Sequence, residues 1–285
     1  MNTAYHTRVP AIVLTVLIAG CAQPKHPGKI VFQSGRDGNF EIYTLHDDGT
    51  GGKRITENTG YDISPAWSPG GDRIVFASNR DGNWEIYTVG EDGGGLTRLT
   101  HGEGSNTSPS WMPDGSGIVF ISTRDLNNGD VYRMNPDGSN VQRMTADSTV
   151  KDSPSISPSD GSIVLTLFVT GVNRIAVLSP AGKMVRYLSA DGMESAHPGF
   201  SPDGRRVVFE SGPAGSTDIV SCSTDGSDLK RLTNTPADEH TPAWADGVAA
   251  ILFSRSGAIY LRDLESGKET MLSANGDSAP CWITQ

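Results

Sequence analysis

The sequence has little of what marks several large protein classes. It holds three cysteines in 285 residues, too few for a disulfide framework. It has no basic excess: 23 Lys and Arg stand against 33 Asp and Glu, giving a net charge of −10. No basic block stands out, so a nucleic-acid partner is not expected, because phosphate binding needs a basic stripe. Diffuse acidity of this kind serves solubility. No apolar run reaches the roughly 20 residues needed to span a bilayer as a helix. There is no Gly-x-Ser-x-Gly nucleophile elbow and no His-x-x-x-His or Cys-x-x-Cys metal spacing. The Arg-Asp-Gly-Asn segments at 36–39 and 80–83 lack the alternating acidic spacing of a calcium loop and read as hairpin turns. No cofactor is expected.

Glycine and proline are abundant. The chain has 34 Gly and 17 Pro, together about 18 %, against an ordinary share of about 12 %. Inside a helix these residues cost about 1 and 3 kcal/mol each, which excludes a helical bundle. No Gly-X-Y period exists, which excludes collagen. Valine, isoleucine, tryptophan and tyrosine recur throughout, which argues against bulk disorder. An all-β chain of short strands and tight turns is left.

Self-comparison gives the architecture. Ile30-Val31-Phe32, Ile74-Val75-Phe76, Ile118-Val119-Phe120, Ile163-Val164-Leu165, Val207-Val208-Phe209 and Ile251-Leu252-Phe253 start 44, 44, 45, 44 and 44 residues apart. Three further series keep step. They are represented by Ile86-Tyr87, by Leu99-Thr100, and by a proline two residues before a bulky residue, as in Pro65/Trp67, Pro109/Trp111 and Pro242/Trp244. Each unit thus has four runs of strand length. Asp48-Gly49, Asp92-Gly93, Asp137-Gly138 and Asp225-Gly226 supply hairpin turns. The pattern predicts a six-bladed β-propeller of four-stranded antiparallel blades over residues 29–285. The first unit begins at its second strand, and Pro280 to Trp282 is an orphan first strand. Placed in the first blade, it closes the ring and covers an open sheet edge.

The blades resemble those of the TolB-like, WD-repeat-like propeller family. The likeness rests on Ser64-Pro65-Ala66-Trp67-Ser68-Pro69-Gly70-Gly71-Asp72-Arg73-Ile74-Val75-Phe76-Ala77-Ser78-Asn79-Arg80-Asp81-Gly82, then Glu85-Ile86-Tyr87 and Arg98-Leu99-Thr100, recurring over almost the whole chain. It is specific for fold. It is weakly informative about function; the complete ring, the absence of a catalytic motif and a lipobox-like segment ending at Cys21 point to a TolB-like, non-catalytic, lipid-anchored scaffold that binds a protein or polymer of the cell envelope, expected as a monomer. Oligogalacturonate lyases share the blade, so the alternative is an extracellular glycan-active enzyme with a metal cluster at the channel mouth. The α/β domain that precedes the propeller in TolB has no counterpart; about eight tether residues, 21–28, stand there.

The N-terminus reads as an export signal over residues 1–20. Arg8 supplies the charge, and Val9 to Ala19 is an apolar stretch interrupted by Pro10 and Thr15. Leu17-Ile18-Ala19-Gly20-Cys21 resembles a bacterial lipobox, with Cys21 as the lipidated residue. The lipid would be the protein's only contact with the membrane. Ala22 is not the aspartate associated with inner-membrane retention, which points to a periplasm-facing anchor in the outer membrane.

In a propeller one rim carries the loops that enter each inner strand and the loops between second and third strands. Here the first set presents Asp62, Asn106, Lys151 with Asp152, Glu194, Glu239 with His240, and Asp277; the second presents Arg36, Arg80 and Arg124. The expected site is a polar ring that takes an envelope protein or polysaccharide at the channel mouth. The arginines recur with the repeat, as residues that satisfy their own blade would. Blades four and five lack the arginine, so that side of the rim is expected to be the less charged.

Overall fold

The computed structural model describes residues 28–283 apart from 103, 126, 127, 214 and 246–248. The expected signal peptide and Cys21 lie outside the described residues, as does all of the tether except Gly28. Among the described residues, 24 strands, labelled β1 to β24 in chain order, form six four-stranded antiparallel sheets. Blade two shows the pattern: β4 (Asp62–Trp67), β5 (Arg73–Ser78), β6 (Glu85–Gly90) and β7 (Thr97–Arg98) lie side by side from channel to periphery. The outermost strands of blades one, two, three and five are only two residues long, which leaves little edge to aggregate.

Blade one is assembled from both ends of the chain. β24 (Asp277–Ile283) pairs antiparallel with β1 (Lys29–Ser34), which pairs in turn with β2 (Glu41–His46) and β3 (Lys53–Arg54). The C-terminal strand therefore closes the ring, as the register of the repeats requires.

The second strands are buried on both faces because each sheet is covered by a neighbour on either side. Ile74, Val75 and Phe76 are all fully buried, as are Ile118, Val119 and Phe120. Core clusters run across blade boundaries: Val31 and Ile42 of blade one pack with Trp67, Ile74, Phe76 and Tyr87 of blade two. Trp67, Trp111 and Trp244 are buried core residues. Cys222 and Cys281 are both free. At the Asp-Gly turns, Gly93 has φ 89°, and its amide donates to the Gly90 carbonyl at 2.9 Å. Such a φ strains any residue with a Cβ, which is why glycine recurs there.

Candidate functional site

The arginines between second and third strands are built into their own blades. Arg36, Arg80 and Arg124 each lie over a phenylalanine–tyrosine pair, 4.6, 5.0 and 5.0 Å from the tyrosine ring centres. Their Nε atoms donate to Ser34, Ser78 and Ser122 at 2.8, 3.0 and 2.9 Å. Their Nη2 atoms reach the first residue of the inner strand in the same blade. Arg36 donates to both oxygens of Asp277 at 2.9 and 2.8 Å, Arg80 to Asp62 at 2.7 Å, and Arg124 to Asn106 at 3.0 Å. A cation over a ring and beside a buried carboxylate is held by both interactions at once.

The predicted ring therefore divides by depth. Asp62, Asn106, Glu239 and Asp277 are essentially fully buried. Lys151 is buried as well, and its Nζ donates to Asp147 at 2.7 Å and lies 3.2 Å from Asp130 of blade three. These five sit beneath the rim, where a ligand resting on the rim would not touch them. Asp152, Glu194 and His240 are exposed. Asn173 orients Glu194, donating from its side chain at 2.5 Å and from its amide at 3.2 Å.

The channel wall holds a feature that the repeat pattern does not announce. Every inner strand has a bulge at the residue before its proline, and that residue is left-handed. Ser64, Ser108, Ser153, His197, Thr241 and Ala279 have φ between 50° and 53°. The ladder register shifts at the same place in every blade. For an L-residue this conformation costs roughly 1–2 kcal/mol. Several of the turned-in amides are satisfied from the preceding blade: Ser64 donates to Gln33 at 2.8 Å, His197 to Thr166 at 3.2 Å, and Thr241 to Glu210 at 2.7 Å. The bulges thus stitch neighbouring blades together around a basin of about 300 Å³.

The basin is asymmetric. On the side of blades five and six, Glu210 lies between two imidazoles, 3.2 Å from His197 Nδ1 and 3.5 Å from His240 Nδ1. Burial opposes ionisation of Glu210, but the two histidines and the Thr241 amide outweigh it and hold the carboxyl down at about 2. Burial would lower the pKa of His197, yet Glu210 and Asp152 raise it; His240 is raised chiefly by its hydrogen bond to Glu210. Asp152, across the basin, accepts from Ser108 at 2.5 Å and from the Ser153 amide at 2.7 Å. Among the described residues, no group of three or more His, Cys, Asp or Glu side chains is arranged to hold a metal ion.

The blades, the inner-strand prolines and the arginines over stacked rings make one repeated unit. Two overlapping stretches, residues 22–99 and 50–248, match the family model described as the TolB beta propeller domain. The chain belongs to this family.

As a TolB propeller domain it has relatives in sequence and in structure. The protein named Protein TolB homolog from Chlorobium chlorochromatii is 34 % identical over 84 residues, which cover 28 % of this chain and 19 % of that protein. This alignment reaches about a fifth of that relative's length. The solved structure of TolB from Acinetobacter baumannii superposes with a TM-score of 0.77 at 21 % identity, covering 90 % of this chain and 66 % of that one. Oligogalacturonate lyase from Vibrio parahaemolyticus gives a TM-score of 0.58 at 14 % identity, covering 86 % of this chain and 74 % of that one. Both structural likenesses concern the fold.

Within this TolB propeller domain, two site residues were missed by the reading of the sequence. Arg255 performs the arginine role in blade six: it lies 4.2 Å from the Tyr260 ring centre and donates to Glu239 at 3.0 Å. It stands two residues after Phe253, where the other arginines stand four after theirs, so a search at fixed spacing passes over it. Glu210 was missed because its counterparts, Gln33, Ala77, Ile121, Thr166 and Ser254, share no chemistry. A lone acid in a second strand, between a histidine on either side in the chain, was the available signal.

Proposed function

We propose that this protein is a non-catalytic, lipid-anchored propeller of the cell envelope that binds a protein segment over the channel mouth. The observation that carries the reading is the split of the rim by depth. Three of the buried acids are already paired with arginines of the chain, and Glu210 is buried between two histidines, so Asp152 and Glu194 are the acids of the predicted ring left to face a partner. An extended segment with basic groups fits that surface, since complementary charge steers encounter and fixes register. Membership of the TolB propeller family supports a scaffold role. The anchor is Cys21, and the location is the periplasmic side of the outer membrane.

The test uses crosslinking in cells and capture of the soluble domain's partner from envelope extract. Substituting Asp152→Ser and Glu194→Gln together should abolish capture while leaving the propeller folded, because both side chains are exposed. Unchanged capture would refute the mouth assignment. Cys21→Ser should move the protein from the membrane fraction to the soluble fraction.

The glycan-active alternative draws on one feature, the His197–Glu210–His240 cluster, which has the acid–base groups that such a reaction uses. Turnover of uronate oligosaccharides by the purified protein, lost in Glu210→Gln, would favour it over the scaffold reading.

A further inference from the structure

The channel basin has walls rich in acceptors and poor in donors. Each inner strand contributes a proline, which has no N–H to offer. Beside the prolines, the amides of Ser64, Ser153, His197, Thr241 and Ala279 are already bonded to side chains of the protein. Among the described residues, the hydroxyls of Ser64, Ser110 and Ser153, which line the basin, have no hydrogen-bond partner. A ligand that brings several donors suits such a wall better than one that brings only acceptors.

Asp152 gives that wall its charge. Its counterparts, one residue before each left-handed position, are Ile63, Thr107, Ala196, His240 and Ser278, and none of them is an acid. The Ser108 hydroxyl and the Ser153 amide both donate to Asp152 Oδ1, at 2.5 and 2.7 Å. They fix the carboxylate and leave Oδ2, among the described residues, without a partner. The carboxylate is exposed and lines the basin. The cations near it in the chain are engaged elsewhere. Lys151, its neighbour in sequence, is turned toward Asp130 and Asp147, at 3.2 and 2.7 Å. Arg174, on the third strand of the same blade, is 2.6 Å from Asp191 and lies over the Tyr187 ring. The three buried acids of the ring each have an arginine; Asp152 has none.

We propose that the basin binds the side-chain ammonium of a lysine carried on an extended segment of a partner protein, with Asp152 Oδ2 as its counter-charge. An ammonium has three donors and no acceptor, and it shares them between Oδ2 and the Ser110 and Ser153 hydroxyls, which line the same side in blades three and four. A guanidinium suits the site less. Its fork takes both oxygens of a carboxylate, and Oδ1 already holds two donors. An anion does not suit it, because it would lie against Asp152 and close to Glu210. The opposite wall does not repel a cation outright, since Glu210 stands between His197 and His240 as counter-charge to both. That the lysine belongs to a partner protein rests on the function proposed above; the basin's preference for an ammonium does not.

The test titrates an acetylated, amidated Gly-Lys-Gly peptide into the folded chain at pH 8, beside the same peptide with norleucine or arginine in place of lysine. The Ser153 amide and the Thr241 and Ala279 methyl groups, all in the basin wall, are followed by NMR. The lysine peptide should shift them and bind at least about fivefold more tightly than the norleucine peptide. It should also bind more tightly than the arginine peptide. An amidated Gly-Gly-Gly peptide with a free amine offers an ammonium at a chain start instead, and should bind more weakly. Asp152→Asn keeps the shape of an exposed side chain and should abolish the preference for lysine over norleucine. Glu265→Gln removes one exposed charge far along the chain, in the turn after Asp263, and should leave that preference intact. The peptide titration needs no partner, so unchanged partner capture in the double mouth variant would defeat the mouth reading without touching this result. Absence of shifts, equal affinity for the lysine and norleucine or arginine peptides, binding of the free-amine peptide as tight as that of lysine, a lysine preference undiminished in Asp152→Asn, or one lost in Glu265→Gln would overturn the proposal.

Discussion

Arg36 and Asp277 stand near opposite ends of the chain and share two hydrogen bonds, at 2.9 and 2.8 Å. Asp277 is fully buried, and both of its carboxylate oxygens accept from that one guanidinium. Arg36→Ala is expected to destabilise the domain by about 3–5 kcal/mol, because a buried charge loses its partner. Urea unfolding measures this, and a loss below about 1 kcal/mol would show that the pair does not hold blade one together.

Deleting residues 279–285 removes most of β24 and uncovers the inner edge of β1. The shortened chain should aggregate or unfold at a much lower temperature than the parent. Deleting a surface turn of equal length should do far less. Size-exclusion profiles and thermal melts of the two would decide the matter.

The Glu210 cluster predicts a defined pH response. The histidine pKa values are raised, so their contribution is fully present below the unfolded value of 6.5 and is lost as pH rises through the folded values. The pKa of Glu210 is lowered, so its contribution is present above its ordinary 4.5 and is lost as pH falls through about 2. The stability gap between the parent and Glu210→Gln should therefore be widest between pH 4.5 and 6.5 and should narrow on either side. Imidazole proton shifts should also show both histidine pKa values falling in Glu210→Gln. A flat stability difference across pH would contradict the assignment.

The left-handed bulges predict the effect of side-chain size at Ala279, whose φ is 50°. Ala279→Gly relieves the Cβ clash and should stabilise by up to about 1 kcal/mol, whereas Ala279→Val should destabilise by more than that. Equal stability of the two variants would mean that the bulge relaxes freely.

The fold was legible because the repeat writes it six times. Apolar triplets 44 or 45 residues apart fix the blades, and the orphan strand around Trp282 fixes ring closure. The depth of the rim was harder to read. Asp62 and Asp277 look like loop residues in sequence and become interior ones because the arginine four residues after each phenylalanine folds back over the rings. The bulges were invisible for a different reason. A small residue before proline inside a strand reads as extended, and only the shift in ladder register makes Ser64 or Ala279 left-handed. His197 and His240 were seen as neighbours in successive repeats; the carboxylate that joins them lies on a second strand, where the pattern gives no warning.

The pairing of Val31 with Cys281 also sets a clock. During synthesis at about 5–20 residues per second, β1 waits more than about ten seconds for the strand that covers it. Through that interval the nascent chain carries an unprotected edge, and no partial ring can be sealed. Such long-range contacts fold slowly. The domain is thus kept from closing until its last strand is made, one strand beyond the sixth blade, and β1 stays uncovered throughout that window.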